Sequence, residues 1–367
     1  MPATEEPPTA ALREAGRLMT ICNACRYCEG LCAVFPAMEL RREFAAGDLH
    51  YLANLCHGCG ACYYDCQYAP PHEFAVNVPV ALAELRAQTY RHYAWPGALS
   101  GLYEKNGGKV ALAAIFAVLA FLIGFAVLVD PQVLFAGHAG PGAFYAIMPH
   151  NAMVALFGSV FALAIAAMTL SLRAFWRDTG GAGEEAVGSG ALWRAMTDAG
   201  ALRNLDGGGA GCMNDDERPT DNRKFFHHFT FYGFILCLAS TSLATLLHYA
   251  LGWQAPYGWW NPVVVLGTLG GLGLVIGPAG LLAARRRRDP AIAADGQSAM
   301  AIAFLSMLLL TGLTGLLLLV LRSTPAMGIA LAVHLGFVLA RFVSLPYGKF
   351  VHGLYRFAAL VRYASER

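Results

Sequence analysis

Charge is scarce in this chain of 367 residues: Asp, Glu, Lys and Arg make up 14% of it, against roughly 25% in soluble domains. With 57% apolar residues, an ordinary soluble enzyme is excluded. Cysteine is nearly absent from the 301 residues after Cys66, which hold only Cys212 and Cys237. The other eight crowd between Cys22 and Cys66, so a cysteine-rich head precedes an apolar body. No Gly-rich dinucleotide loop is present and no acid/base pair for carbon chemistry stands out, so the chain alone has no visible means of oxidising a metabolite. The N-terminal MPATEEPPTA carries acidic residues and prolines where an export signal has a basic stretch and an apolar run. A cytoplasmic head is therefore expected. Net charge is +2; residues 1–104 carry seven basic against eleven acidic residues and the remainder nineteen against thirteen. No nucleic-acid footprint is visible.

The eight head cysteines form two identical runs. Cys22, Cys25, Cys28 and Cys32 follow C-x2-C-x2-C-x3-C, and Cys56, Cys59, Cys62 and Cys66 repeat it. Disulfides are disfavoured in a reducing compartment, and a zinc site needs only four ligands, so two such runs point to two 4Fe-4S clusters. In two-cluster ferredoxins the fourth cysteine of a run ligates the other cluster. The expected sets are Cys22, Cys25, Cys28 with Cys66, and Cys56, Cys59, Cys62 with Cys32. Ferredoxin runs end Cys-Pro; here Ala33 and Gln67 follow, with Pro36 and Pro70 further on. His50, His57 and His72 read as surface residues or supports beside the clusters rather than ligands.

Apolar runs predict six membrane helices: Val110–Val129, Asn151–Leu172, Phe225–Tyr249, Pro262–Ala283, Ala299–Leu321 and Met327–Leu345. The last is expected to continue as helix through Pro346 toward Tyr363. Connections 173–224 and 284–298 hold seven and four basic residues, whereas 130–150 and 250–261 hold none. The positive-inside rule then puts both termini in the cytoplasm, with 173–224 a cytoplasmic loop, Gly- and Ala-rich between 178 and 217. The glycines of GTLGGLGLVIGPAG in the fourth span read as a close-packing face. The fold class is mainly α: a ferredoxin-like two-cluster 4Fe-4S domain at 1–105, then a six-helix transmembrane bundle at 106–367.

Four histidine positions lie at matching depths. His227 or His228 and His352 fall at the cytoplasmic end of the third and sixth spans, His248 and His334 at the outer end. Two facing pairs are what one or two bis-histidine b haems require. His334 and His352 are 18 residues apart, five turns, and share a face of a continuous helix; His227 and His248 share a face in a supercoiled one. His227 fits this phase better than His228. Along the axis the two levels are about 27–31 Å apart. Arg341 lies on the same stripe, and none of these spans contains Asp or Glu, so a haem propionate is a natural partner for a charge otherwise costly in lipid. Snorkelling to the interface is the other reading. His138, His150 and Cys237 read as structural.

The strings CNACRYCEGLCAVFPAME, CHGCGACYYDCQYAPPHEFAVNVP, GGGAGCMNDDERP, FFHHFTFYGFILCLASTSLATLLHY and PYGKFVHGLYR resemble the tricarballylate-utilisation or citrate-utilisation protein B family, related to the C-terminal half of the CobZ fusion proteins. The HLGFVLARFVSLPYGKFVH segment also looks like the haem-binding helix of nitrate-reductase gamma-type b cytochromes. The resemblance implies an electron-transfer subunit of an oxidoreductase complex in a bacterial inner membrane. It would reoxidise the reduced FAD of a partner dehydrogenase of the tricarballylate type and pass electrons to membrane quinone. Two alternatives use the same parts: electron supply for corrin-ring oxidation, and a redox-sensing iron-sulfur membrane protein without quinone activity. Cys212 is assigned no chemistry.

Overall fold

The computed structural model describes residues 9–180, 187–294 and 298–367. Residues 1–8, read as no export signal, and 181–186, read as loop, lie outside the described residues. Five helices build the head: α1 (Ala10–Cys25), α2 (Val34–Glu39), α3 (Ala46–Leu55), α4 (Ala61–Tyr64) and α5 (Val78–His92). α1 begins where the Thr9 side chain accepts the Leu12 N–H, and it buries Ala11, Ala15, Leu18 and Met19, residues of one helical face. Asn77 caps α5 by accepting the Val80 N–H. Leu82 and Leu85 of α5 pack with Leu49 and Leu52 of α3 in the head core.

The body follows as α6 (Asn106–Leu128), the four-residue α7 (Pro131–Leu134), α8 (His150–Asp178), α9 (Ser189–Gly200), strands β1 (Cys212–Met213) and β2 (Pro219–Thr220), α10 (Asn222–Leu251), α11 (Pro262–Arg286), α12 (Ser298–Leu321), α13 (Met327–Ser344) and α14 (Val351–Ser365). Among the described residues, six segments, α6, α8, α10, α11, α12 and Met327–Tyr347, are long and apolar enough to cross a membrane. They contain the six runs read from hydropathy, except that α6 stops one residue short. α11 packs between α10 and α12, and α13 packs against α6, α12 and α8. The glycine face of α11 makes the first of these contacts close. A Cβ on Gly277 would stand 2.5 Å from the Thr230 backbone nitrogen, and one on Gly270 2.7 Å from that of Cys237. Such separations leave no room for a side chain, and overpacking of this kind costs about 1–3 kcal/mol or more.

Two expectations about the body are corrected. The sixth span does not continue as one helix through Pro346: α13 ends at Ser344, a 3-10 turn covers Leu345–Tyr347, and Gly348 is extended. Pro346 has no N–H to extend the ladder and its ring crowds the preceding turn. The carbonyls released there are taken by neighbours, Pro346 accepting from the Tyr103 hydroxyl at 2.7 Å and Tyr347 from Asn106 Nδ2 at 2.6 Å. The five-turn phase relation between His334 and His352 is therefore broken. The connection 173–224, read as a loop, holds α9 and the β1–β2 hairpin. Ala191 and Ala195, four apart, are buried on α9, which packs against α14.

α14 leaves the bundle and enters the head, where Ala359, Leu360 and Val361 join the same core as α3 and α5. Its end is tied by a partly buried ion-pair network in which Arg41 and Arg362 each bind both Asp48 and Glu366. The C-terminus thus anchors the cysteine domain against the membrane helices.

Candidate redox sites

The two cysteine runs interleave. Cys22, Cys25, Cys28 and Cys66 line one small cavity, together with Tyr27, Asp65 and Gln67, and Cys62 reaches its edge. Cys32, Cys56, Cys59 and Cys62 line a second. The last turn of α1 delivers Cys22 and Cys25, and Arg26 reverses the chain in the left-handed conformation. Gly60, at φ 93, makes the turn that sets Cys62 on α4, a conformation glycine adopts without strain. Burial first, then the charges of neighbouring thiols, push Cys22 and Cys28 up to about 12. Burial likewise pushes Cys59 up to about 11. Such thiol sets ionise only on a cation. Among the described residues no group of three or more His, Cys, Asp or Glu could hold a single metal ion. Four sulfurs around each cavity are the ligand number that a 4Fe-4S cluster takes.

Sequence reading gave the GGGAGC loop no role, yet it covers the second set. Leu202, Leu205 and Cys212 pack with Cys59 and Ala61, and the Met213 N–H donates to the Cys59 carbonyl at 2.9 Å. Gly211, at φ 105, is held so close to Thr220 that a Cβ would lie 2.8 Å from its nitrogen. The signal available was the glycine cluster beside an otherwise isolated cysteine.

A cavity of about 730 Å³ separates the second cysteine set from the membrane helices, within the usual 300–1,000 Å³ of small-molecule and cofactor sites. His57 and Cys59 line both it and the cysteine cavity. His227 of α10 and His352 of α14 line it too, with ring centroids 6.4 Å apart. At this separation the two imidazoles would be the residues to hold one metal ion between them, at metal–nitrogen bonds of about 2 Å. His352 Nδ1 donates to the Lys349 carbonyl, which fixes the tautomer and leaves Nε2 as the ligating lone pair. Burial, then the charges of Lys349 and Arg356, hold His352 well below the usual histidine range, so it is neutral, the form that binds metal. Phe231, Phe234 and Phe304 supply an apolar wall. Arg341 is 6% exposed, lines the cavity, and has a buried Nη2 without a partner. Its guanidinium lies 5.2 Å from the Phe234 ring centre and 5.4 Å from that of Phe304. It does not snorkel. The paired imidazoles, the aromatic wall and an unsatisfied cation fit a haem with acidic side groups.

The remaining histidines do not form the expected outer pair. His248 stacks on His150 at 3.8 Å, and His334 Nδ1 lies 3.1 Å from the Thr314 hydroxyl. The cause is the helix order: α10 packs on α11, whereas α13 packs on α12 and α6, so the C-terminal end of α10 meets the start of α8. His228 stacks on Tyr232 and does not face His352. Of the head histidines, His57 is buried and His50 Nδ1 lies 2.7 Å from the Tyr93 hydroxyl.

Arg86, Arg223, Arg285, Arg288 and Arg356 also line the cavity. Among the described residues none of them, nor Arg341, is in an ion pair. Burial, reinforced by neighbouring arginine charges, pulls Arg288 and Arg356 down to about 9. An anionic occupant would relieve this mutual repulsion.

Residues 104–367 match the family profile described as citrate utilization protein B, and residues 15–92 match the one for its Fer4-like domain. Citrate utilization protein B of Escherichia coli is 50% identical over 355 residues, covering 96% of this chain and 92% of that protein. No solved structure matches.

Proposed function

Since the chain belongs to the citrate utilization protein B family, we propose that it is the membrane electron carrier of a flavoprotein dehydrogenase of citrate or tricarballylate utilisation. It takes electrons from the partner's reduced FAD and delivers them to membrane quinone. Its redox groups are two 4Fe-4S clusters and one haem b. When bound, these groups supply one-electron chemistry whose potentials depend on burial, charge and hydrogen bonding to their ligands. Cys22, Cys25, Cys28 and Cys66 hold the first cluster near the surface, where Tyr27 is 73% exposed and marks the docking side for the flavoprotein. Cys32, Cys56, Cys59 and Cys62 hold the second. His227 and His352 are the haem ligands, and Arg341 neutralises a propionate.

The single observation that carries this reading is contiguity. His57 and Cys59 form a shared wall between the second cysteine cavity and the chamber faced by His227 and His352. That chamber reaches Leu305 and Leu308 of α12, one of the six long apolar helices, so the sites proposed for the two ends of an electron path lie side by side. An even number of spans and the basic connections support both termini on the cytoplasmic side of the bacterial inner membrane. Membranes containing the chain and its flavoprotein should reduce an added quinone analogue when the dehydrogenase substrate is supplied. No reduction above that of membranes lacking the chain would refute the quinone role.

A further inference from the structure

Four arginines from four separate segments converge on the backbone that carries Cys56. Arg86 of α5 donates to the carbonyls of Ala53, at 3.3 Å, and Cys56. Arg356 of α14 donates to Asn54 at 3.2 Å and Cys56 at 2.6 Å. Arg223 of α10 binds His57 at 2.8 Å and Gly58 at 2.9 Å. Arg288, just after α11, reaches Gly58 at 3.3 Å and Ile292 at 2.8 Å. Carbonyl oxygens accept from the guanidiniums but supply no negative charge, Arg288 Nε is buried without a partner, and none of the four is in an ion pair among the described residues. No Arg or Lys lines either cysteine cavity, but the surroundings differ: Asp65 lines the first, whereas the four guanidiniums are hydrogen-bonded to the backbone of residues 53–58 beside the second.

This asymmetry acts on electrons. Reduction of a cluster adds one negative charge, and fixed cations close by stabilise that charge more strongly in a low-dielectric interior than in water. Cys56 and Cys59 are 7% and 8% exposed, so solvent screens them little. We propose that the cage of Arg86, Arg223, Arg288 and Arg356 raises the reduction potential of the cluster held by Cys32, Cys56, Cys59 and Cys62 above that of the cluster held by Cys22, Cys25, Cys28 and Cys66. The electron lost by the exposed cluster is then gained by the one beside the membrane, and the cage gives the head its direction. The proposal rests on the two-cluster reading above and adds a role for residues that ligate nothing.

A clamp that merely fastens the head to the bundle would use the same hydrogen bonds, so charge and hydrogen bonding have to be separated. The full chain is purified anaerobically as wild type, Arg223→Gln, Arg288→Gln and Arg223→Lys, and each is titrated with the electron paramagnetic resonance of its reduced clusters as readout. In the two Gln variants the equilibrium for one electron between the clusters should shift about tenfold toward the exposed site, about 59 mV for a one-electron couple. The exposed cluster's own potential should stay put, and Arg223→Lys, which keeps the charge, should shift the equilibrium less than threefold. Unchanged potentials, a parallel fall of both, or an Arg223→Lys shift as large as that of Arg223→Gln would overturn the proposal. A wild-type preparation with only one cluster signal would instead refute the two-cluster reading and remove this proposal with it.

Discussion

His352→Ala, purified in detergent and reduced with dithionite, should show no bis-histidine haem α-band, while the broad absorbance of the head persists. The ring of His352 is oriented by its own Nδ1 donating to the Lys349 carbonyl, and it faces His227 across 6.4 Å. Losing only such an orienting partner commonly costs 10–100-fold in metal affinity. Losing the ligand itself should lower haem per chain at least tenfold. His227→Ala should give the same spectrum. His228→Ala, His248→Ala and His334→Ala should keep wild-type haem content, because these rings contact Tyr232, His150 and Thr314 instead. Loss of haem in His334→Ala would contradict the single site and restore the two-level arrangement read from sequence.

Cys32→Ser should remove the cluster of the other cysteine run. Cys32 belongs to the first run in sequence but lines the cavity of Cys56, Cys59 and Cys62. Cys66→Ser should do the reverse, since Cys66 lines the cavity of Cys22, Cys25 and Cys28. Each variant should lose roughly half of the head's iron, with four irons per cluster. They should differ in which signal remains: Cys32→Ser should resemble Cys59→Ser, and Cys66→Ser should resemble Cys25→Ser. Cys32→Ser matching Cys25→Ser would show that each run folds on its own cluster.

The six long apolar helices were legible because the requirement for them is local: a run of some twenty apolar residues suffices. The two cysteine runs were legible for a similar reason, their spacing being short and repeated. His227 could be preferred over His228 from helix phase, and the opposite direction of the third and sixth spans paired it with His352; the turn count between His334 and His352 fails because Pro346 and Gly348 interrupt the helix between them. What brought His352 to the cavity is α14 docking into the head core through Ala359, Leu360 and Val361, a long-range contact that no sequence window contains. The same holds for the arginines. Arg86, Arg223, Arg288 and Arg356 are far apart in the chain, and each alone reads as a solvated or positive-inside charge; only packing joins them around Cys56. α9 was missed because glycine and alanine around it outweighed the short amphipathic stretch that α14 buries.

The central claim, that the path from the head to quinone runs by way of the chamber between His227 and His352, is tested most directly by rapid anaerobic mixing of pre-reduced protein with a quinone analogue. In the wild type, the haem α-band and the head absorbance should both return to their oxidised forms, the head no faster than the haem. In His352→Ala, head reoxidation should be at least tenfold slower. Equal rates of head reoxidation in the wild type and His352→Ala would contradict it.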